Sequence, residues 1–223
     1  MSEVYPLQDW VVYKEDFLGG ATIAATVGEG MWKITDTSSS GTPTYTKDAA
    51  GHGGIFTMAF DSQTEAQNVC LDFGDKLQLD IDQLQEIEFR LKTVATLDSA
   101  TTLTFGLQSN RNDNTDSTTN NAQFKLVGDN NVVVETDDGT TDLDDKATGK
   151  TLVAAYKRFV ISFASGKSDV RFFIDGERVA AATTFSMAAA TGQLQPFVQI
   201  QKTSDNNTDS VSIDYIGWKA RRV

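Results

Sequence analysis

The sequence predicts an all-β protein, an antiparallel β-sandwich of roughly a dozen strands, from two features of its C-terminal half. In residues 157–163, Phe159, Ile161 and Phe163 alternate with polar or small residues, and residues 169–174 repeat the alternation. A period of two residues is typical of a strand with one buried face, because successive side chains point to opposite faces. The second feature is a hairpin turn that joins two such runs.

That turn is the Asp-Gly pair at residues 175–176. A two-residue Asp-Gly connection favours a type I′ turn, because both residues tolerate positive φ angles and the turn matches the twist of the flanking strands. The turn also fixes how those strands pair. It predicts Phe172 opposite Val179 on the buried face and Phe173 opposite Arg178 on the other face.

Strand-like segments follow one another through the rest of the chain, separated by turns rich in Gly, Asn, Asp and Ser. In chain order they are residues 31–34, 44–46, 55–60, 69–73, 77–81, 87–91, 103–107, 124–126, 132–134, 198–200 and 211–218. The Ala-rich stretch 180–190 is the one helix candidate, and we expect either a short helical turn or a loop there. Turns at this spacing are typical of a sandwich or a barrel.

A chain of 223 residues suits one large sandwich or two small domains. We expect an N-terminal arm at residues 1–20, ended by two glycines, and one sandwich domain at 21–223. An arm this apolar has to pack, either on its own sandwich or on a neighbouring subunit. Its candidate partner-binding residues are aromatic: Tyr5, Trp10, Tyr13 and Phe17.

Composition narrows the classes of partner. From the formal net charge of −12 we expect no nucleic-acid ligand, because such a surface repels phosphate groups. The apolar runs are far shorter than the ~20 residues of a membrane-spanning helix. The first six residues lack the basic and apolar regions of a secretory signal. Cys70 is the one cysteine and lies in a strand-like run, so we expect a buried free thiol in a chain that folds in the cytoplasm.

One loop has the ligand spacing of a calcium site. Asp205, Asn207 and Asp209 stand at alternate positions, which can bring several oxygen atoms to one ion. An EF-hand would need Gly and Glu where Ser210 and Ile216 stand, so the loop is not an EF-hand. A second acidic stretch covers residues 137–145. Asp and Asn are also the common residues of turns, which is the explanation we favour for both stretches, and we expect no cofactor unless calcium binds here.

Catalytic signatures are weak. His52 is the only histidine, and one histidine and one cysteine do not make a typical zinc site. Residues 86–90 resemble the start of the acidic strand motif Glu-x-Asp-x-x-Glu of laminarinase-like glycoside hydrolases. Glu88 stands where that motif has Asp, and Arg90 or Lys92 lies near the place of the acid. The departure removes the acid/base of the carboxylate pair, so we expect no enzyme.

A polar strand face remains as an alternative site. Outward positions on these strands could hydrogen-bond a sugar, or could be the hydrated face of an antiparallel sheet. The candidate glycan-binding residues are Glu88, Arg90, Gln108, Gln199 and Gln201.

Three C-terminal pieces, residues 158–162, 170–179 and 212–218, resemble the concanavalin A-like jelly-roll superfamily, which includes laminin-G-like domains. Residues 16–20 and Trp32 look like the start of such a domain. The resemblance implies a jelly-roll sandwich. It leaves function open, because this fold carries lectins, hydrolases and purely structural modules.

In overall style the chain resembles structural proteins of tailed bacteriophages, being acidic, rich in Thr, Asn and Asp, and built as an apolar arm before one sandwich. The resemblance implies a non-enzymatic virion protein, assembled in the host cytoplasm. We expect a capsid decoration protein that binds the shell through its arm and one sandwich face, as a homo-oligomer such as a trimer. The alternative is a carbohydrate-binding module or a fibre adhesin that recognises glycans.

Overall fold

The computed structural model describes residues 9–18, 31–48, 54–76 and 78–222. Within them the chain forms two antiparallel sheets of eight strands each, which confirms the predicted all-β sandwich. The strands are β1 (Trp10–Glu15), β2 (Lys33–Asp36), β3 (Thr44–Asp48), β4 (Ile55–Ala59), β5 (Glu65–Asp72), β6 (Leu79–Asp80), β7 (Leu84–Thr93), β8 (Thr101–Gln108), β9 (Asn120–Val127), β10 (Asn131–Asp138), β11 (Asp142–Thr151), β12 (Lys157–Ser162), β13 (Arg171–Ile174), β14 (Glu177–Val179), β15 (Gln193–Asp205) and β16 (Ser210–Arg221).

The first sheet has the order β14-β13-β12-β7-β16-β4-β3, with β1 also paired to β16. The second sheet has the order β11-β10-β9-β8-β15-β5-β2, with β6 also paired to β15. Two 3-10 turns, Thr115–Ser117 and Lys167–Asp169, complete the described secondary structure. The Ala-rich stretch 180–190 contains turns and an isolated bridge from Phe185 to Val170, and no helix. Of the two alternatives expected there, a short helical turn or a loop, the structure shows the loop.

Aromatic rings fill the space between the sheets. Phe105 and Phe124 come from the second sheet and meet Phe89, Phe159 and Phe172 from the first sheet, with ring centroids 4.9 to 5.6 Å apart across the sandwich. These residues occupy the inward positions of alternating strands, as the period of two predicts. Their burial is the main force that holds the two sheets together.

The predicted hairpin is present. Phe172 pairs with Val179 and Phe173 pairs with Arg178. Residues 175–176 have φ angles of 51° and 84°, the positive values that a type I′ turn requires.

The described part of the N-terminal segment lies in the sandwich, because β1 pairs with β16. Phe17 is 1% exposed and stacks on the Phe56 ring in the core. Tyr13 stacks on Trp218, with ring centroids 4.0 Å apart. Trp10 is half-buried beneath the ammonium of Lys219. The sequence left open whether this segment packs on its own sandwich or on a neighbouring subunit. In the structure, residues 10–17 pack on their own sandwich. The fourth candidate residue, Tyr5, lies outside the described residues.

Candidate functional site

The outer face of the second sheet is polar but buried. On β8 the residues Leu103, Phe105 and Leu107 enter the core, which turns Thr104 and Gln108 outward. The same alternation turns a set of polar side chains outward on the neighbouring strands: Asn121, Gln123, Lys125, Glu135, Gln195 and Gln199. All of these outward residues are less than a tenth exposed. Since outward positions normally meet water, part of the chain has to cover this face.

The cover is the loop between β8 and β9, residues 109–119. The Asp113 carboxylate accepts hydrogen bonds from Thr37 Oγ1 at 2.8 Å and from Asn68 Nδ2 at 2.9 Å. Gln199 Nε2 donates to the main-chain oxygen of Asp113 at 2.9 Å. These contacts tie the β8–β9 loop to the β2 and β5 side of the sheet and to its central strand β15.

Beneath the loop lies a group of buried amides that we call the amide floor, formed by Gln108, Asn121, Gln123 and Gln199. Both amide atoms of Gln108 lack a hydrogen-bond partner within the described chain, as do Asn121 Oδ1, Gln123 Oε1 and Gln199 Oε1. A buried amide atom left unpaired costs about 1–3 kcal/mol. The amide floor therefore favours contact with molecules that can form hydrogen bonds, either water or a ligand with hydroxyl groups.

A charge cluster adjoins the amide floor. Lys125 Nζ lies 2.7 Å from Asp116, 3.2 Å from Asp145 and 3.7 Å from Glu135. Gln123 Nε2 donates to Glu135 at 2.8 Å. Burial and then the charge of Asp116 raise the pKa of Glu135 to about 7, although Lys125 opposes the shift. Burial disfavours the charged form of Lys125, but the three carboxylates outweigh it and its pKa is raised. A carboxyl group that is protonated near neutral pH can donate a proton.

The polar face opens to solvent at the β5 and β15 side, in a groove of about 430 Å³. The groove is lined by Asn68, Thr102, Asp113, Gln201 and Ser204. Its volume lies within the range of about 300–1,000 Å³ that binds small ligands. It therefore offers amide, hydroxyl and carboxylate groups beside the loop that covers the amide floor.

The structure divides the predicted glycan-binding residues between two surfaces. Gln108, Gln199 and Gln201 share the outer face of the second sheet. Glu88 and Arg90 lie on β7 of the first sheet, on the opposite side of the sandwich. The two groups cannot contact one ligand.

On the first sheet the polar side chains bond to one another. Tyr215 donates to Glu88, Arg90 forms an ion pair with Asp214, and Lys14 Nζ lies 4.1 Å from the centroid of the Tyr215 ring. A shallow groove of about 240 Å³ lies over this network. These groups are paired with one another, as Asn68 and Asp113 are on the second sheet, but there Asn68 Oδ1 lines the groove without a partner within the described residues.

Sequence reasoning missed part of the polar face. Asn68, Asn121, Gln123, Lys125 and Glu135 were not among the expected site residues. A signal was available for three of them, because residues 121–126 alternate polar and apolar side chains. The burial of Glu135 depends on strand pairing and on the β8–β9 loop, which no local pattern reveals.

The expected calcium loop uses its oxygen atoms internally. Asp205 Oδ1 accepts from the main-chain N–H of Asn207 at 2.7 Å, and Asn207 Oδ1 accepts from that of Asp209 at 3.2 Å. Asp209 Oδ2 accepts from the N–H of Asp98 at 2.8 Å. Within residues 9–18, 31–48, 54–76 and 78–222, no group of three or more His, Cys, Asp or Glu side chains could hold a metal ion. In this structure one oxygen atom of each of the three side chains accepts a hydrogen bond from a main-chain N–H.

Three remaining expectations concern single features. Cys70 is a buried free thiol, as predicted. His52 lies outside the described residues. No helix in the part of the chain that the structure describes is long and apolar enough to cross a membrane.

No family model matches the sequence, and no curated protein does. Solved structures do resemble this protein in fold. The Emp46p carbohydrate recognition domain, in a potassium-bound form, has a TM-score of 0.57 at 13% identity, covering 94% of this chain and 96% of that one. A Bacillus licheniformis β-glucanase has a TM-score of 0.62 at 10% identity, covering 93% and 97%. A Bacteroides ovatus GH16 protein, solved with a mixed-linkage glucan product, has a TM-score of 0.62 at 11% identity, covering 92% and 98%.

The fold is a jelly-roll β-sandwich similar to those of these structures. At these identities the likeness shows the fold alone, and this agrees with the superfamily resemblance of the C-terminal strands. It also corrects the expectation that the protein is not an enzyme. That expectation rested on the missing carboxylate pair on β7, but the same fold occurs in a β-glucanase and a GH16 protein. The absence of that carboxylate pair from β7 therefore does not exclude enzyme activity.

Proposed function

We propose that the protein binds carbohydrate on the outer face of its second sheet, beginning at the open groove. The observation that carries the proposal is the groove of about 430 Å³, which is lined by amide, hydroxyl and carboxylate side chains and includes Asp113 of the loop that covers the amide floor. Neutral sugars present hydroxyl groups that both donate and accept hydrogen bonds. Amide side chains also do both, which makes them suitable partners.

The charges of the site favour neutral sugars over acidic ones. Asp113 lines the groove with its carboxylate ion-paired to Arg111, and the ammonium of Lys202, another lining residue, is bonded to main-chain carbonyl oxygens. Asn68 and Gln201 add neutral amides, while Thr102 and Ser204 add hydroxyls. The net charge of −12 adds long-range repulsion of anions. A neutral oligosaccharide therefore fits the groove better than a uronic or sulfated glycan.

The similar structures support this proposal over the expected virion role. They include one described as a carbohydrate recognition domain and two described as a β-glucanase and a protein with bound glucan product. A capsid decoration protein draws no support from these likenesses. Its capsid partner and its homo-oligomer rest on the style of the sequence alone.

The test is a glycan array of neutral oligosaccharides, followed by calorimetry with the strongest ligand. Gln201→Ala removes a groove amide, and the loss of one net hydrogen bond of about 0.5–1.5 kcal/mol should raise Kd about 2- to 12-fold. Arg90→Ala is the matched control on the opposite sheet and should leave Kd unchanged. If Arg90→Ala weakened binding while Gln201→Ala did not, the site would be on the first sheet.

A second candidate function is glycoside hydrolysis, and the neutral-range pKa of Glu135 favours it. Hydrolysis needs a protonated carboxyl as general acid and a second carboxylate, and Asp116 and Asp145 belong to the same cluster. Because Glu135 is buried, a substrate reaches it only when the β8–β9 loop moves off the face. Release of reducing ends from neutral glucans, abolished by Glu135→Gln, would support hydrolysis. Binding without turnover would leave sugar recognition as the function.

A further inference from the structure

Lys202 is a buried cation at one end of the sandwich. It lies on β15 in line with the core residues Val198 and Ile200, so its side chain enters the space between the sheets. The residue is 3% exposed. Its ammonium lies 5.4 Å from the centroid of the Phe60 ring, within the range of a cation–π contact.

The ammonium donates all three of its hydrogen bonds to main-chain carbonyl oxygens. Nζ lies 2.8 Å from Asp61 O, 2.9 Å from Gln63 O and 3.1 Å from Asn207 O. A lysine ammonium has three donors, so its hydrogen-bonding capacity is filled. Converging carbonyl oxygens are also the ligands that hard metal cations prefer.

The three carbonyls belong to the two connections that cross between the sheets at this end. Asp61 and Gln63 lie between β4 of the first sheet and β5 of the second, and Asn207 lies between β15 and β16. The pairing of β15 with β5 shifts register between Lys202 and Asp205, where β15 approaches the second connection. One positive charge therefore joins two loops that are far apart in sequence.

The same segment borders the proposed sugar groove. Gln201, Lys202, Thr203 and Ser204 all line it. The loop whose sequence suggests calcium, residues 205–209, directs its middle carbonyl to Lys202 and its side chains to main-chain N–H groups. The Lys202 ammonium, which is part of the chain, therefore already places a positive charge at this loop.

We propose that the Lys202 ammonium is the resident cation of this loop cluster, taking the place of a metal ion, so that the adjoining groove forms without metal. The part that concerns the groove rests on the proposed sugar binding. The part that concerns the loops does not, since it follows from the contacts of Lys202 alone.

The first measurement uses the wild-type protein. Amide signals of residues 205–209 are recorded by NMR in chelator and in millimolar calcium chloride. They are expected to be unchanged, because the ammonium holds the carbonyl oxygens. A saturable shift of these signals with calcium would overturn the proposal, and this result does not depend on whether any variant folds.

The second measurement compares two substitutions. Lys202→Met keeps most of the apolar stem and removes the three donors, so Tm is expected to fall by several degrees. Lys150→Met is the control, since the Lys150 ammonium pairs with Glu177 at the surface. Equal Tm values for the two variants would overturn the proposal. A Lys202→Met chain that fails to fold agrees with the proposal, and the calcium titration then decides.

Sugar binding is tested separately from the cation. If a glycan binds, its Kd is expected to be the same in chelator and in calcium. If no glycan binds while the amide signals and the Tm difference behave as expected, the proposed function fails and the role of Lys202 stands. If Kd depends on calcium and the signals of residues 205–209 shift with it, the role of Lys202 fails.

Discussion

Replacing Phe124 by alanine tests how the sandwich is held together beneath its polar face. The Phe124 ring is fully buried and contacts three other rings: Phe105 at 5.3 Å, Phe159 at 5.1 Å and Phe172 at 5.2 Å between centroids. Two of these partners belong to the opposite sheet. The substitution therefore opens a cavity where the sheets meet.

The size of the expected loss in stability follows from the burial of the Phe124 ring. Truncating a buried Phe to Ala costs about 3–5 kcal/mol, because transfer and cavity terms add. Complete side-chain burial and three ring contacts place Phe124 toward the upper end. A typical domain has a total stability of about 5–15 kcal/mol, so the variant should fold but lose a large share of its stability.

The assay is urea unfolding at equilibrium, followed by intrinsic tryptophan fluorescence. The matched control is Val127→Ala on the same strand, where the side chain is 54% exposed. The control should change the free energy of unfolding by less than about 0.5 kcal/mol. A loss below about 1 kcal/mol for Phe124→Ala would refute the packing described for this part of the core.

Two further predictions concern ionisable groups on the same face. Burial raises the pKa of Glu135 from 4.5 to about 7, so its contribution to stability is complete below about pH 4.5 and is lost as the pH rises to about 7. Over that window the free energy of unfolding of the wild type should fall relative to Glu135→Gln, by at most about 1.4 kcal/mol per pH unit, and parallel pH profiles would contradict this. Burial also raises the pKa of the Cys70 thiol, so a disulfide-exchange reagent should label it only after unfolding, whereas rapid labelling in native buffer would contradict its burial.

Local patterns predicted the strands and the hairpin because the information is local. The alternation around Phe159 and the Asp-Gly turn each depend on a few adjacent residues. The pairing of β1 with β16 joins residues about two hundred positions apart. The aromatic residues of β1 therefore indicated that the segment packs, but left its partner open.

The candidate site also shows that local patterns do not reveal which strands come together. Alternation identified Gln199 and Gln201 as outward, and did the same for Glu88 and Arg90. It does not say to which of the two sheets a strand belongs, so the pattern alone assigns these four residues and Gln108 to one surface. Lys202 has no local signal at all, because its burial depends on two loops that come together only when both sheets are formed.

The central claim is that carbohydrate binds on the outer face of the second sheet. The most direct test is an NMR titration of the full chain with neutral oligosaccharides, following the side-chain amide signals of Asn68 and Gln201 together with the backbone amide of Gly217 on the first sheet. The account predicts saturable shifts of both side-chain amides and an unchanged Gly217 signal. Shifts confined to Gly217 and its neighbours, or no shift with any neutral glycan, would contradict it.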